Sequence, residues 1–280
     1  MNESVPVFRV LGANVHAVNM DTAIDAIVDA ISNDKKGYVV LSGAHGIMES
    51  RWNPDFRNVI NGAMLSVPDG MPLVWIGKHH GYPAIGRVYG PDLMLELCRL
   101  SVKKGWTHFL YGGRPGVVED LKVAMERKFP GIRIVGAFCP PFCQLSEKEE
   151  AELKRSVSAV RPQFFWVGLS TPKQDRFMAK HLSTIDTNVM LGVGAAFDMH
   201  TGRQKDAPSW IKRAGLQWLY RVCQEPLRLG RRYFKVVPCF VVLETLELLG
   251  VMKFDEQEGV DVGIKKSGEE KYSSDKGRSL

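Results

Sequence analysis

The sequence predicts an α/β fold: a Rossmann-like, mainly parallel sheet with helices on both faces, followed by a C-terminal helical appendage suited to a membrane surface. Three observations predict it. Between residues 38 and 200, short apolar runs alternate with helical patterns, the signature of βα units around a mainly parallel sheet. A basic, tryptophan-bearing run from Ala207 to Tyr233 comes next, and an apolar stretch from Val236 to Phe254 follows it. The 280 residues, 45% hydrophobic and 24% charged, are enough to bury a full core with an appendage beside it. The expected division is an α/β body over 1–206, a basic and apolar helical appendage over 207–254, and a disordered charged tail over 255–280, where apolar residues are few.

In chain order, FRVLGANVHAV starts the body as β structure, and a helix begins at Asp21. The strands expected after it are YVVLS from Tyr38, MLSV from Met64, THFLYG from Thr107, IRIVGAF from Ile132, QFFWVGL from Gln163 and NVMLGVG from Asn188. Helices are expected near 45–61, 70–79, 91–104, 116–128, 146–159 and 173–183. Ser146 followed by Glu149 reads as a capping box, while Pro91 and Pro172 stand where proline suits a first helical turn. In the appendage, Arg221, Arg228 and Arg231 are spaced by seven and three, so one helix would put them on one face, unless Pro226 interrupts it. Val236 to Phe254 holds Pro238, Glu244 and Glu247, and two glutamates near its middle favour lying on a membrane over crossing it.

The formal charge of +6 is uneven: Thr201 to Lys235 carries nine Lys and Arg against Asp206 and Glu225. A local patch of this kind suggests phosphate or anionic lipid as partner. Five cysteines, an odd number with no signal peptide ahead of them, point to a reducing cytoplasm and against a disulfide framework. Cys139 and Cys143 have no companion Cys/His pair at zinc-finger spacing, and the seven histidines are scattered, so no metal site is assigned.

An open parallel sheet binds ligands beyond the carboxyl ends of its strands, so the residues just after each strand are the candidates. Asp69, in SVPDG, is either a turn and cap residue or a carboxylate able to take a proton from an attacking hydroxyl. Gly112, Gly113 and Gly116 either make a tight turn or offer backbone N–H groups and a helix start to a phosphate. Ser42 and His45 follow the first long strand, Arg87 could pair with a carboxylate or phosphate, and Gln174 could hydrogen-bond a sugar or uracil. Neither YGGRPG nor GVGAAF completes the dinucleotide fingerprint, and no Walker lysine motif appears, which disfavours NAD and ATP. There is also no Asp-x-Asp pair to hold a cation against a diphosphate, so arginines and helix N-termini would have to meet such a charge.

Taken together and in order, VPDGMPLVW, RVYGPDL, FLYGGRPGV, PPF, VGLSTPKQD, GVGAAFDMHTGRQKDAPSWIKRAGLQWLYR and QEPLRLGRRY resemble the WecG/TagA/CpsF bacterial glycosyltransferases, glycosyltransferase family 26. The resemblance runs from about Tyr38 to Tyr233. It implies an inverting enzyme without metal or other cofactor. Such an enzyme moves a sugar from a UDP-sugar to a polyprenyl-diphosphate-linked saccharide in cell-surface polysaccharide synthesis. It would sit peripherally on the cytoplasmic face of an anionic membrane, with no nucleic-acid partner. By position, Asp69 looks like the family's proposed base, Arg87 and Gln174 like its substrate-binding residues, and Arg221, Arg228 and Arg231 like the arginines of its closing appendage. Where the family often has Thr-x-Asn, this chain has Ser42, Gly43 and Ala44 followed by His45, which leaves donor and acceptor identity open. The alternatives are a nucleotide-binding oxidoreductase and an inactive relative that binds lipid or anions.

Overall fold

The structure is a computed structural model describing residues 5–141 and 145–254. A hairpin of β1 (Val7–Val10) and β2 (Ala13–His16) forms a separate antiparallel sheet, and α1 (Met20–Ser32) follows. Next come β3 (Gly37–Ser42), α2 (Ala44–Trp52), α3 (Pro54–Asn61), β4 (Leu65–Pro68) and α4 (Met71–His79). After them run α5 (Gly90–Lys104), β5 (Thr107–Gly112), α6 (Val117–Lys128), β6 (Arg133–Phe138) and α7 (Glu147–Val160). The body closes with β7 (Phe164–Gly168), α8 (Lys173–His181), β8 (Val189–Gly192) and α9 (Ala196–His200). The appendage is α10 (Ser209–Arg213), α11 (Gln217–Gln224) and α12 (Pro226–Leu248).

Six strands form one sheet in the order β4-β3-β8-β7-β5-β6, with every pairing parallel. Neighbouring strand residues point to opposite faces. Val40, Phe109, Tyr111 and Phe165 therefore pack toward α2, α3, α7 and α8, while Val39, Leu110, Phe164 and Trp166 pack toward α1, α5, α6 and α9. Both faces are covered, which is why the strands read as nearly continuous apolar runs. All six carboxyl ends lie on one edge.

Local chemistry sets the helix boundaries. Asn19 caps α1 by accepting from Thr22 N–H at 3.0 Å, and the Thr22 hydroxyl accepts from Asn19 N–H at 2.9 Å. The expected Ser146–Glu149 capping box is present, with the Glu149 carboxylate 2.7 Å from Ser146 N–H. The helix expected over 45–61 is two helices, because Asn53 leaves α2 in an extended conformation and caps α3 by accepting from Phe56 N–H at 3.0 Å. Pro172 precedes α8 instead of sitting in its first turn.

Pro226 ends the single basic helix as well: the chain unwinds at Glu225, and proline restarts it as the first residue of α12. Pro238 lies within α12 without ending it. The appendage is not free-standing, since Val236 and Phe240 of α12 join the core cluster that holds Ile47 and Met48 of α2. Among the described residues no helix is long and apolar enough to cross a membrane. The tail expected to be disordered over 255–280 and Cys143 of the CPPFC motif lie outside the described residues.

Glu244 sits on the packed side of α12, 5% exposed, and neither carboxylate oxygen meets a partner among the described residues. Burial, and then Glu247, push it up to about 7. For an acid whose pKa rises on folding, ionisation costs stability. That cost starts above the ordinary value of 4.5 and is complete once the pH passes about 7. Glu244→Gln is therefore expected to stabilise the protein by up to about 3 kcal/mol at pH 8 and by almost nothing near pH 4. Thermal unfolding at the two pH values checks this; an equal gain at both would mean that ionisation of Glu244 is not its source.

Candidate active site at the carboxyl edge of the sheet

The loops after β3, β4, β5, β7 and β8 line one cleft of about 1770 Å³, and α10 to α12 supply its far wall. Sites for a single small ligand usually measure roughly 300–1,000 Å³, and this cleft is larger.

Asp69 lies directly beyond β4. Its N–H donates to Ser42 O at 2.8 Å, and the N–H of Gly70 donates to the same oxygen at 3.3 Å, which pins the turn to the end of β3. Asp69 Oδ1 accepts from Gly90 N–H, the first residue of α5, at 3.3 Å. The side chain keeps 33% of its surface open to the cleft. Burial raises its pKa, against the opposing pull of Arg87, Gly90 N–H and Arg221, while Asp92 adds to the rise. A carboxyl group held above its ordinary value is a stronger proton acceptor than a free one.

Arg87 grips this turn by donating from Nε to the Asp69 main-chain oxygen. Its Nη2 donates to Gln217 Oε1 of α11 and stays 3.9 Å from Asp69 Oδ1. The guanidinium lies over the Tyr89 ring, 4.4 Å from its centroid. Gln217 Nε2 donates to the Tyr89 hydroxyl at 2.7 Å, and that hydroxyl donates to Asp206 Oδ1 at 2.8 Å. Lys212 Nζ closes the network on Asp206 Oδ2 at 2.8 Å. Burial works against the Asp206 charge, but Lys212, Tyr89 and Ala207 N–H outweigh it and hold the pKa below the usual value. Tyr89, Asp206, Lys212 and Gln217 were not singled out from the sequence. All four lie inside the motifs quoted above, where the arginines drew attention instead.

Arg221 of α11 lines the cleft, and its charge is felt at Asp69. Its Nε is buried and meets no acceptor among the described residues. Arg228 also lines the cleft, but it is 58% exposed and forms a two-pronged pair with Glu225, with Nη2 2.6 Å from Oε1. Arg231 departs from expectation: it is exposed and outside the cleft, and Arg232 lines it instead. The restart at Pro226 changes the helical phase, so the spacing counted from Arg221 does not carry across it. Trp218 and Tyr233, with ring centroids 5.8 Å apart, tie α11 to α12.

Three further candidates make bonds within the protein, and of these Gln174 and Gly113 also line the cleft. Ser42 does not face the cleft: it is 1% exposed, and its hydroxyl bonds Ser66 Oγ at 2.8 Å. Gln174 lines the cleft, but its amide ties α8 to the turn after β8, donating to Gly192 O at 2.8 Å and accepting from Gly194 N–H at 3.0 Å. The glycine loop is a tight turn. A Cβ on Gly112, at φ +123°, would meet the Gly168 backbone at 2.8 Å, and Gly113 N–H is already given to Gly168 O at 3.0 Å. Arg203 donates to Gly116 O, and Glu119 and Asp120 make the first turn of α6 acidic. The starts of α2 and α4 are different: Gly43 and Gly70 cap them without a side chain, and both line the cleft. Such helix starts favour anions. His45 sits in the first turn of α2, and burial and then Arg232 lower its pKa to about 4, so it is neutral at pH 7.

Among the described residues no cluster of three or more His, Cys, Asp and Glu side chains is arranged to hold a metal ion. The fold and cleft together define an open-sheet α/β protein with its cleft at the strand ends, where folds of this class take their ligands. The chain belongs to the glycosyl transferase WecG/TagA/CpsF family, whose model matches residues 8–253. It is 29% identical over 201 residues, 72% of this chain and 76% of the relative, to N-acetylglucosaminyldiphosphoundecaprenol N-acetyl-beta-D-mannosaminyltransferase from Bacillus spizizenii.

Proposed function

We propose that this glycosyltransferase moves an N-acetylhexosamine from its UDP derivative to a saccharide carried on polyprenyl diphosphate, with inversion at the anomeric carbon. The observation that carries the reading is that Asp69, at the end of β4, and Arg221, of α11, line one cleft large enough for donor and acceptor. The Bacillus spizizenii relative, by its name, acts on a diphosphoundecaprenol-linked N-acetylglucosamine, which supports the acceptor class.

In the proposed step an acceptor hydroxyl attacks the anomeric carbon from the side opposite the leaving group and gives its proton to Asp69. The bond from the sugar to the UDP β-phosphate oxygen breaks, and its electron pair leaves with UDP. Arg221, Arg232 and the open starts of α2 and α4 stabilise that charge. Arg228, paired with Glu225 at the rim, contributes less. Asp69 returns its proton to solvent.

The appendage also supports work at a membrane surface. Leu227 is 98% exposed and Phe234 86%, seven residues apart on one side of α12, and the exposed Val241, seven further on, carries that apolar side to the rim of the cleft. Arg231 lies between Leu227 and Phe234, on the side where it would meet anionic headgroups. We infer peripheral binding to the inner face of the cell membrane.

The test is a screen of UDP-sugars against polyprenyl-diphosphate-linked mono- and oligosaccharides, read by mass spectrometry. The expected result is an acceptor heavier by one N-acetylhexosamine, together with thermal stabilisation by UDP and not by NAD. Stabilisation by NAD, with no sugar transferred from any donor, would support the oxidoreductase reading and reject this one.

A further inference from the structure

We propose that Gln217 is a positioning residue that holds Arg87 away from the Asp69 carboxylate, so that docking of α11 keeps the base free to take a proton. The inference rests on the reading of Asp69 as the base.

Its first support is the division of Arg87. One nitrogen grips the main chain of Asp69, and another is given to Gln217. The carboxylate, at 3.9 Å from Nη2, lies beyond hydrogen-bonding range. The second support is that the Gln217 amide can point only one way. Arg87 only donates, so the amide oxygen must face it. The Tyr89 hydroxyl spends its proton on the Asp206 carboxylate, so it must accept from the amide nitrogen. Asp206 is fixed in turn by Lys212. The two ends of Gln217 thus engage two residues of the one segment before α5, Arg87 and Tyr89, and both engage only when α11 is seated.

Without Gln217, Arg87 Nη2 loses its acceptor, and Asp69 Oδ1 is within a short rotation. A charge-assisted bond there would favour the ionised carboxylate and weaken it as a base. The other groups acting on Asp69 are Arg221 of α11, Asp92 of α5 and Gly90 N–H; those around Gln217 are Arg87, Tyr89, Asp206 and, through Asp206, Lys212. Arg221 and Gln217 share α11, so the helix that brings the leaving-group charge partner also sets the base.

The experiment measures kcat and KM against pH in the full-length protein for wild type, Gln217→Ala, Gln217→Glu and Asp69→Asn, with thermal midpoints as a check on folding. Gln217→Ala is expected to move the acid limb of kcat about one pH unit lower and to reduce the plateau about tenfold, with donor KM within about threefold. Gln217→Glu keeps an oxygen for Arg87, gives up the donor to Tyr89 and adds a negative charge, so its limb is expected to move the other way. Limbs that stay at the wild-type pH, or that move in the same direction in both variants, would overturn the inference, and the reading of Asp69 would stand if Asp69→Asn is inactive. A wild-type rate and limb in Asp69→Asn would overturn that reading, and the inference with it.

Discussion

Asp69→Asn is expected to lower kcat by about 10²–10⁴-fold, the usual contribution of a positioned general base. Asparagine matches aspartate in shape, and its side-chain oxygen can still accept from Gly90 N–H, the bond that Asp69 Oδ1 makes at 3.3 Å. Arg87 holds this turn through the Asp69 main-chain oxygen, which the substitution leaves in place. The turn should therefore survive, and donor binding should stay within a few fold while proton removal fails. Burial raises the pKa of Asp69, so removing the ionisable group should also increase thermal stability at neutral pH. Steady-state kinetics and donor titration on the purified variant provide the check. Turnover at the wild-type rate would reject the role assigned to Asp69.

Arg221→Met is expected to cost about 10²–10³-fold in kcat, the range for deleting one preorganised group that stabilises developing negative charge. Methionine keeps much of the apolar stem. It removes a guanidinium whose Nε is buried and meets no acceptor among the described residues. Losing a partly exposed guanidinium whose buried Nε meets no acceptor among the described residues should leave thermal stability unchanged or higher. Arg228→Met should cost much less, because Glu225 already pairs with it and 58% of its side chain is exposed. Comparing the two variants separates a specific group from general positive charge: equal losses would mean that only the net charge of the appendage matters.

The parallel sheet was legible because strands buried on both faces are short and apolar, and THFLYG and QFFWVGL fall on β5 and β7. The break within 45–61 was also written in the sequence, as Asn53 followed by Pro54, but the apolar spacing on either side reads as one helix. The site was partly legible. Asp69 and Arg87 stand at the cleft because a strand end precedes the first and α5 follows the second. Ser42 and Gln174 carry suitable groups at suitable strand ends, yet Ser66 Oγ engages the first, and the backbone around β8 engages both ends of the second. No local pattern announces such partners. The same holds for Gln217, whose bonds to Arg87 and Tyr89 span 130 and 128 residues of chain. Arg231 and Arg232 exchange roles through a phase change at Pro226 that spacing alone does not resolve.

In the proposed step, positive groups of the protein, Arg221 foremost, hold the departing diphosphate. Sugar transfer by the purified protein after exhaustive treatment with EDTA tests this most directly. The expected result is an unchanged wild-type rate, with the Arg221→Met deficit the same before and after added Mg²⁺. A wild-type rate that disappears with EDTA and returns with Mg²⁺ would contradict it.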